Sequence, residues 1–122
     1  MTSLSPGMTA QAACLLEVSD WKPGNVHRFA DFGDLDYLDF LLAAAAIAGP
    51  LDQAATSGIG QAVLSAVEAT RRLVATNANL GMILLLAPMA AVPRDEALAD
   101  GLPRVLAATT LDDARRVYQA IR

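Results

Sequence analysis

The chain has 122 residues, of which 54% are hydrophobic and 18% are charged, and its formal net charge at pH 7 is −4. A chain this apolar collapses around a core, which excludes an intrinsically disordered protein, and its length suits a single domain. The negative charge and the single lysine exclude broad binding of nucleic acid or an anionic membrane through a basic face. Alanine and leucine supply much of the apolar content and aromatic residues only 5%, so the composition predicts an all-α helical bundle.

The first half of the chain is predicted to hold two helices separated by a long ordered loop. After a Ser-Pro start, residues 6–19 keep one apolar face in helical spacing. Residues 20–36 lack that periodicity, and loops of this length inside compact domains are usually functional. A second helix is predicted over about residues 36–48, and Gly49-Pro50 is expected to break or kink it.

The second half is also predicted to be helical, with no strand or hairpin pattern. One helix is expected over about residues 58–75. Another, over about residues 80–91, is so apolar that we expect it to be buried, although it is too short to span a membrane. Short helical pieces follow residues 93–95. The last begins at Thr110, which pairs with Asp113 in a carboxylate variant of the capping box.

Cysteine usage indicates a reducing compartment. Cys14 is the single cysteine and lies within the apolar pattern of the first helix, so we expect a buried structural thiol rather than a nucleophile. One cysteine cannot form an internal disulfide, and the first residues lack the basic-then-apolar pattern of a secretory signal. We therefore expect a cytoplasmic protein.

The loop after the first helix concentrates the unusual chemistry of the chain. It carries the only lysine, Lys22, and the only histidine, His27, together with Gly24 and Asn25. Proline at position 23 and the glycine after it favour a defined turn. A rigid turn with a cation, an imidazole and an amide suits an anionic ligand such as a nucleotide phosphate. The alternative is a surface turn whose polar residues cap neighbouring helices.

The same loop continues into an acidic stretch that includes Asp31 and Asp34. Spaced carboxylates are typical ligands of Mg²⁺ beside substrate phosphates, whereas the spacing does not match a calcium-binding EF-hand loop. The alternative interpretation is that these aspartates are solvated loop charges.

A third polar segment, residues 76–81, stands immediately before the predicted buried helix. Asn77 and Asn79 offer paired donors and acceptors, and Gly81 in the first turn lets a ligand approach the backbone. The helix start behind them supplies free N–H groups and the positive end of the helix dipole. The alternative is an ordinary helix cap.

Two of these segments together resemble the triphosphoribosyl-dephospho-CoA synthase family. Residues 17–27, EVSDWKPGNVH, are similar to the family signature EVS..KPGNVH. Residues 76–81, TNANLG, are similar to a second motif that reads NTNLG in one branch and NTHKG in another. The order of the motifs, their separation and the apolar helix after the second also agree, and the resemblance covers essentially the whole chain.

The resemblance implies an all-α enzyme that transfers the triphosphoribosyl part of ATP to the 2′-hydroxyl of 3′-dephospho-CoA and releases adenine. Its product is a prosthetic-group precursor for the acyl carrier proteins of citrate lyase and malonate decarboxylase. The motifs match a less characterised branch most closely, so a related acceptor stays an open alternative. The implied partners are ATP and dephospho-CoA-like small molecules, with Mg²⁺ accompanying ATP.

On this resemblance we assign expected roles to ten residues. Catalysis is expected from His27, which contacts phosphate or handles a proton, and from Glu17, which orients Lys22 or acts as a base. Magnesium is expected at Asp31 or Asp34. The residues expected to bind substrate are Lys22, Gly24, Asn25, Asn77, Asn79 and Gly81.

The chain also departs from the family pattern. Asp20-Trp21 stands where Ala-Pro is common, and Ala78 stands where threonine is usual. Family members are longer, with further motifs beyond position 122, so we expect residues 1–122 to be one domain forming the N-terminal portion of a larger helical enzyme. Its surplus apolar surface would be covered by a C-terminal half or by a second copy. Two other interpretations stay open: a truncated, non-catalytic nucleotide-binding or helical interaction domain, and a nucleotide hydrolase.

Overall fold

The computed structural model describes residues 4–19, 37–75 and 78–122, and within these ranges every regular element is a helix. The predicted all-α fold is therefore confirmed. No helix of the described ranges combines the length and the apolar character needed to cross a membrane. In chain order the helices are α1 (Pro6–Ser19), α2 (Tyr37–Asp52), α3 (Ala54–Ser57), α4 (Ile59–Arg71), α5 (Leu80–Ala90), α6 (Leu98–Ala107) and α7 (Leu111–Ile121).

The first two helices lie antiparallel. At one end the backbone N–H of Gly7 donates to Asp52 Oδ1 at 2.6 Å. At the other end the hydroxyl groups of Ser19 and Tyr37 are 2.9 Å apart in a hydrogen bond. A methyl group on residue 7 would lie 1.8 Å from the Ala48 carbonyl oxygen, so glycine permits the close approach of the two backbones.

Helices α4 and α5 complete an up-down-up-down bundle with α1 and α2. Val74, just after α4, packs with Ala43 in the first half of α2, so α4 runs antiparallel to α2. Leu86, near the end of α5, lines an apolar groove together with Pro6 at the start of α1, so α5 runs antiparallel to α1. This alternation is the arrangement that short connections between helices favour.

The core lies between these four helices and is built from small and branched aliphatic side chains. Ile47, Leu51, Val63 and Ile83 are each no more than 1% exposed, and burying each of them stabilises the fold by about 1.5–3 kcal/mol. Alanines from several helices fill the spaces between them. The apolar surplus of the composition is thus partly explained by close packing of helices.

Helix α7 docks against α4 in parallel. Near their starts the backbone N–H of Gly60 donates to Asp113 Oδ1 at 2.9 Å. Near their ends Arg71 donates to the Ala120 carbonyl oxygen at 2.7 Å. The capping box predicted at Thr110 and Asp113 is confirmed, with both reciprocal hydrogen bonds formed.

The predicted end of the second helix near residue 48 is wrong, because α2 continues through Pro50 to Asp52. Two tertiary interactions hold the final turn. Leu51 is completely buried, and Asp52 accepts the hydrogen bond from Gly7. Pro50 removes one backbone hydrogen bond from the helix, and these tertiary interactions offset that cost. The single turn α3 was not predicted, and α4 ends at Arg71 rather than near residue 75.

The prediction of a buried fifth helix is only half right. Ile83, Ala87 and Ala90 face the core, but Leu84 is 37% exposed and Leu85 is 61% exposed. Helix α5 packs against its neighbours along one side, and in the described part of the chain nothing covers the other. A helix that is apolar all round has no periodicity from which this outward face could be predicted.

Candidate functional site

The two motif segments attach to the same end of the bundle. We call this end, formed by the last turn of α1 and the first turns of α2 and α5, the motif end. Ser19 is hydrogen-bonded to Tyr37 there. One turn further along α2, Phe40 packs in the cluster that contains Ala78, and the first turn of α5 follows directly. Glu17, Asn79 and Gly81 are therefore brought to one end of the fold.

Asn79 occupies the N-cap position of α5 in an unusual way. Its φ of 64° and ψ of 13° lie in the left-handed region, and among the described residues it is the one non-glycine residue with positive φ. Its carbonyl oxygen accepts from Ile83 N–H at 2.8 Å, as a cap residue should. However, its side chain makes no capping hydrogen bond, so the ordinary-cap interpretation does not account for the amide.

The Asn79 amide is also unsatisfied. Its Nδ2 atom is buried and has no hydrogen-bond partner among the described residues, although a buried polar group without a partner normally costs about 1–3 kcal/mol. Such groups are rare in folded proteins and each calls for a specific explanation. Next to a helix N-terminus, whose N–H groups and dipole favour anions, an unused donor is what a site for an acceptor-rich ligand requires.

Gly81, in the first turn of α5, has no packing reason to be glycine. A methyl group built on it would meet no protein atom within 4 Å in the described part of the chain. Glycine within a helix costs roughly 0.5–1 kcal/mol relative to alanine. Gly81 therefore weakens the helix without being required for packing among the described residues. The space beside it is what the predicted approach of a ligand to this backbone would need.

Glu17 lies half-buried in the last turn of α1. Burial, and secondarily the negative charge of Glu17, raise the pKa of Cys14 to about 11. Cys14 is 1% exposed, so the prediction of a buried thiol is confirmed. A carboxylate in the last turn of a helix is unfavourable against the helix dipole, typically by about 0.3–1 kcal/mol, and α1 has no basic residue in that turn.

The other seven predicted site residues cannot be placed from this structure because they lie outside the described ranges. They are Lys22, Gly24, Asn25, His27, Asp31, Asp34 and Asn77. Their predicted roles therefore stay predictions. Among the described residues there is no group of three or more His, Cys, Asp or Glu side chains that could hold a metal ion, so the magnesium prediction continues to depend on Asp31 and Asp34.

Ala78, which stands where the family motif usually has threonine, packs inside the protein. It is 2% exposed and joins Ala43 and Val74 in the cluster at the start of α2. The departure from the motif therefore changes a packing contact between helices.

The hydrogen bond between Ser19 and Tyr37 was not predicted from the sequence. These are the last residue of α1 and the first residue of α2. The available signal was weak: two hydroxyl side chains flank a long segment without helical periodicity.

The fold and the site define an all-α protein with a candidate ligand site at one end of a helical bundle. The family model of the ATP:dephospho-CoA triphosphoribosyl transferases matches residues 4–122. The chain belongs to this family, as the two motifs indicated. Comparisons with curated proteins and with solved structures gave no match.

Proposed function

We propose that the motif end of this chain contributes to a site that transfers the triphosphoribosyl group of ATP to the 2′-hydroxyl of 3′-dephospho-CoA and releases adenine. The family's description, a triphosphoribosyl transferase acting on ATP and dephospho-CoA, supports the reaction class. The observation that carries the location is the Nδ2 atom of Asn79 at the N-terminus of α5, which is buried and has no hydrogen-bond partner in the described part of the chain.

The reaction breaks the bond between adenine and the anomeric carbon of ATP and forms a bond from that carbon to the acceptor oxygen. The acceptor hydroxyl loses its proton, and adenine leaves carrying one. Positive charge builds on the sugar as adenine departs, so a nearby carboxylate is favourable and a base is needed for the hydroxyl. We assign the role of the carboxylate to Glu17 and the role of the base to His27.

We assign binding of the triphosphate to Lys22, together with Gly24 and Asn25 in the same turn. The free N–H groups at the start of α5 favour an anion by the same electrostatic reasoning. Asn77 and Asn79 would hold ribose hydroxyls or base edges, and Gly81 would let the ligand approach the helix backbone. Mg²⁺, which would offset the charge of the triphosphate, suits the carboxylates Asp31 and Asp34.

The test is chromatographic detection of adenine from ATP and Mg²⁺, with and without dephospho-CoA. Wild type is compared with Lys22→Ala and with Arg115→Ala, which removes an exposed cation of α7. We expect adenine that depends on the acceptor, is lost in Lys22→Ala and is kept in Arg115→Ala. Adenine formed equally without acceptor would instead identify a hydrolase. Unchanged ATP binding in Lys22→Ala would refute the assigned role of Lys22.

A non-catalytic helical interaction domain is the second candidate, and the exposed apolar side chains favour it. Leu16 is 72% exposed and Leu85 is 61% exposed, and α5 contains no charged residue. Large exposed apolar patches usually mark interaction surfaces. Sedimentation of the chain across a range of concentrations tests this candidate: a monomer throughout, combined with acceptor-dependent adenine release, would count against it.

A further inference from the structure

The hydrogen bond between Ser19 and Tyr37 joins the last residue of α1 to the first residue of α2 at the motif end. The two oxygen atoms are 2.9 Å apart and partly buried. Both side chains are half-buried, so this link lies at the boundary between the core and the site.

The core does not need this bond to hold the two helices together. Ala10 and Cys14 of α1 and Ala44 and Ile47 of α2 belong to one buried cluster, and Asp52 anchors the opposite end. A link between two half-buried hydroxyl groups adds little to such packing, because water can replace either partner when the other is removed. The bond is therefore of interest for its location at the motif end rather than for the stability that it adds.

The bond fixes where the chain leaves α1 and where it enters α2. Ser19 is the last residue of α1 and Tyr37 the first of α2, so their hydrogen bond sets the distance between the two points where the described chain stops and resumes. Phe40, one turn after Tyr37, contacts the cluster that leads into Asn79, so the same bond sets the end of α1 relative to the start of α5.

We propose that Ser19 and Tyr37 are positioning residues, whose hydrogen bond sets the geometry of the motif end for substrate binding without touching the substrate. The kinetic part of this proposal depends on the proposed function. Its structural part does not, because the single tryptophan of the chain, Trp21, follows Ser19 by two residues and reports locally through its fluorescence.

The experiment compares wild type with Tyr37→Phe, Ser19→Ala and the double variant. Tyr118→Phe is the matched control, because Tyr118 is the other tyrosine of the chain and is 68% exposed on α7. Ser19→Thr, which keeps a hydroxyl, is the rescue variant. The measurements are the emission and acrylamide quenching of Trp21, the melting temperature, and KM and kcat for adenine release.

We expect Tyr37→Phe and Ser19→Ala each to change Trp21 quenching and to raise KM for ATP about 3- to 10-fold, the loss expected for one hydrogen bond. The effect of the double variant should be smaller than the sum of the two single effects, since both single variants remove the hydrogen bond that the two hydroxyl groups share. Ser19→Thr and Tyr118→Phe should behave as wild type, and all variants should melt cooperatively.

Trp21 quenching identical to wild type in Tyr37→Phe and Ser19→Ala would overturn the proposal. So would additive effects in the double variant, because two independent losses would mean that the hydroxyl groups do not act as a pair. If the wild type releases no adenine, the proposed function fails, and the Trp21 measurements still decide whether the bond positions this part of the chain.

Discussion

The first turns of α5 and α7 are built in opposite ways. In α7 the Thr110 side chain accepts from the Asp113 N–H, and the Asp113 carboxylate accepts from the Thr110 N–H at 2.9 Å. The same carboxylate accepts from Gly60 N–H of α4, so both side chains of this cap are hydrogen-bonded within the protein. In α5 the cap residue Asn79 is left-handed and makes no side-chain cap, and its buried amide nitrogen has no partner among the described residues.

This difference separates a helix start that serves stability from one that is available to a ligand. A complete capping box is worth about 1 kcal/mol or more and uses both cap side chains within the protein. The start of α5 forgoes that stabilisation, and Gly81 in its first turn weakens the helix further. Local rules broken without a compensating contact within the fold are expected at functional sites.

If packing of its buried side chains, rather than its cap, stabilises α5, then shortening one of those side chains should have the largest effect on stability. We expect Ile83→Ala to lower the free energy of unfolding by about 2–5 kcal/mol, because Ile83 is fully buried and its removal leaves a cavity. Leu85→Ala, on the exposed face of the same helix, should change it by less than about 0.5 kcal/mol. Urea unfolding followed by circular dichroism measures both, and equal losses would contradict the assignment of the two faces.

The comparison of the two caps is tested directly by Asn79→Gly and Thr110→Ala. Glycine adopts positive φ freely and substitutes for asparagine at an N-cap at a cost of only a few tenths of a kcal/mol, so Asn79→Gly should keep its stability. We expect its kcat/KM for adenine release to fall about 3- to 10-fold, the range for losing one hydrogen bond to an uncharged ribose hydroxyl or base edge. Thr110→Ala should lose about 1 kcal/mol of stability and keep its activity per folded molecule.

The opposite pattern of stability and activity in these two variants would contradict the distinction between the two caps. An Asn79→Gly variant that is as destabilised as Thr110→Ala and fully active would mean that Asn79 is an ordinary structural cap.

Gly81→Ala should stabilise the helix and impair the site. The added methyl group meets no protein atom in the described part of the chain, so we expect stability to rise by up to about 1 kcal/mol while affinity for ATP falls. Gly49→Ala is the matched control, since Gly49 is also helical with nothing near its missing side chain and lies in the half of α2 away from the motif end. Its stability gain should be smaller, because a Cβ before Pro50 crowds the proline ring, and its ATP affinity should equal that of wild type. Calorimetric titration with ATP decides this, and unchanged affinity in Gly81→Ala would refute the close approach.

The sequence was sufficient for features that depend on neighbouring residues. The start of α1 at Pro6 and the capping box of α7 were predicted correctly, because both are formed by residues within one turn of each other. The continuation of α2 past Pro50 was not, because it depends on the burial of Leu51 and on a hydrogen bond to Gly7 from a distant part of the chain.

For the candidate site, the motifs predicted a set of residues, but the arrangement of those that the structure describes required the fold. The antiparallel packing of α1 and α2 and the contact of Phe40 with the cluster before α5 bring Glu17 and Asn79 to one end. An asparagine before an apolar helix is typical of an ordinary cap. Asn79 is distinguished by its left-handed backbone and by a buried amide nitrogen that has no partner among the described residues. Both are features of the folded chain that no local sequence pattern encodes.

The smallest expected effect is the pH dependence of the α7 cap. The hydrogen bond from the Thr110 backbone, with further bonds from Gly60 and the Thr110 hydroxyl, holds the pKa of Asp113 below its usual value of 3.8. A depressed pKa in the folded state means that the carboxylate stabilises the fold above the unfolded pKa and loses this contribution as pH falls through the folded one.

Asp113→Asn places an amide opposite the Thr110 N–H, so it should be less stable than wild type at pH 7, and this difference should shrink below about pH 4. Asp112→Asn, at a side chain that is 64% exposed, should show a smaller change over the same range. Chemical unfolding at pH 7 and pH 3 measures the difference, and a gap between wild type and Asp113→Asn that is constant with pH would show that the cap does not depend on the charge of Asp113.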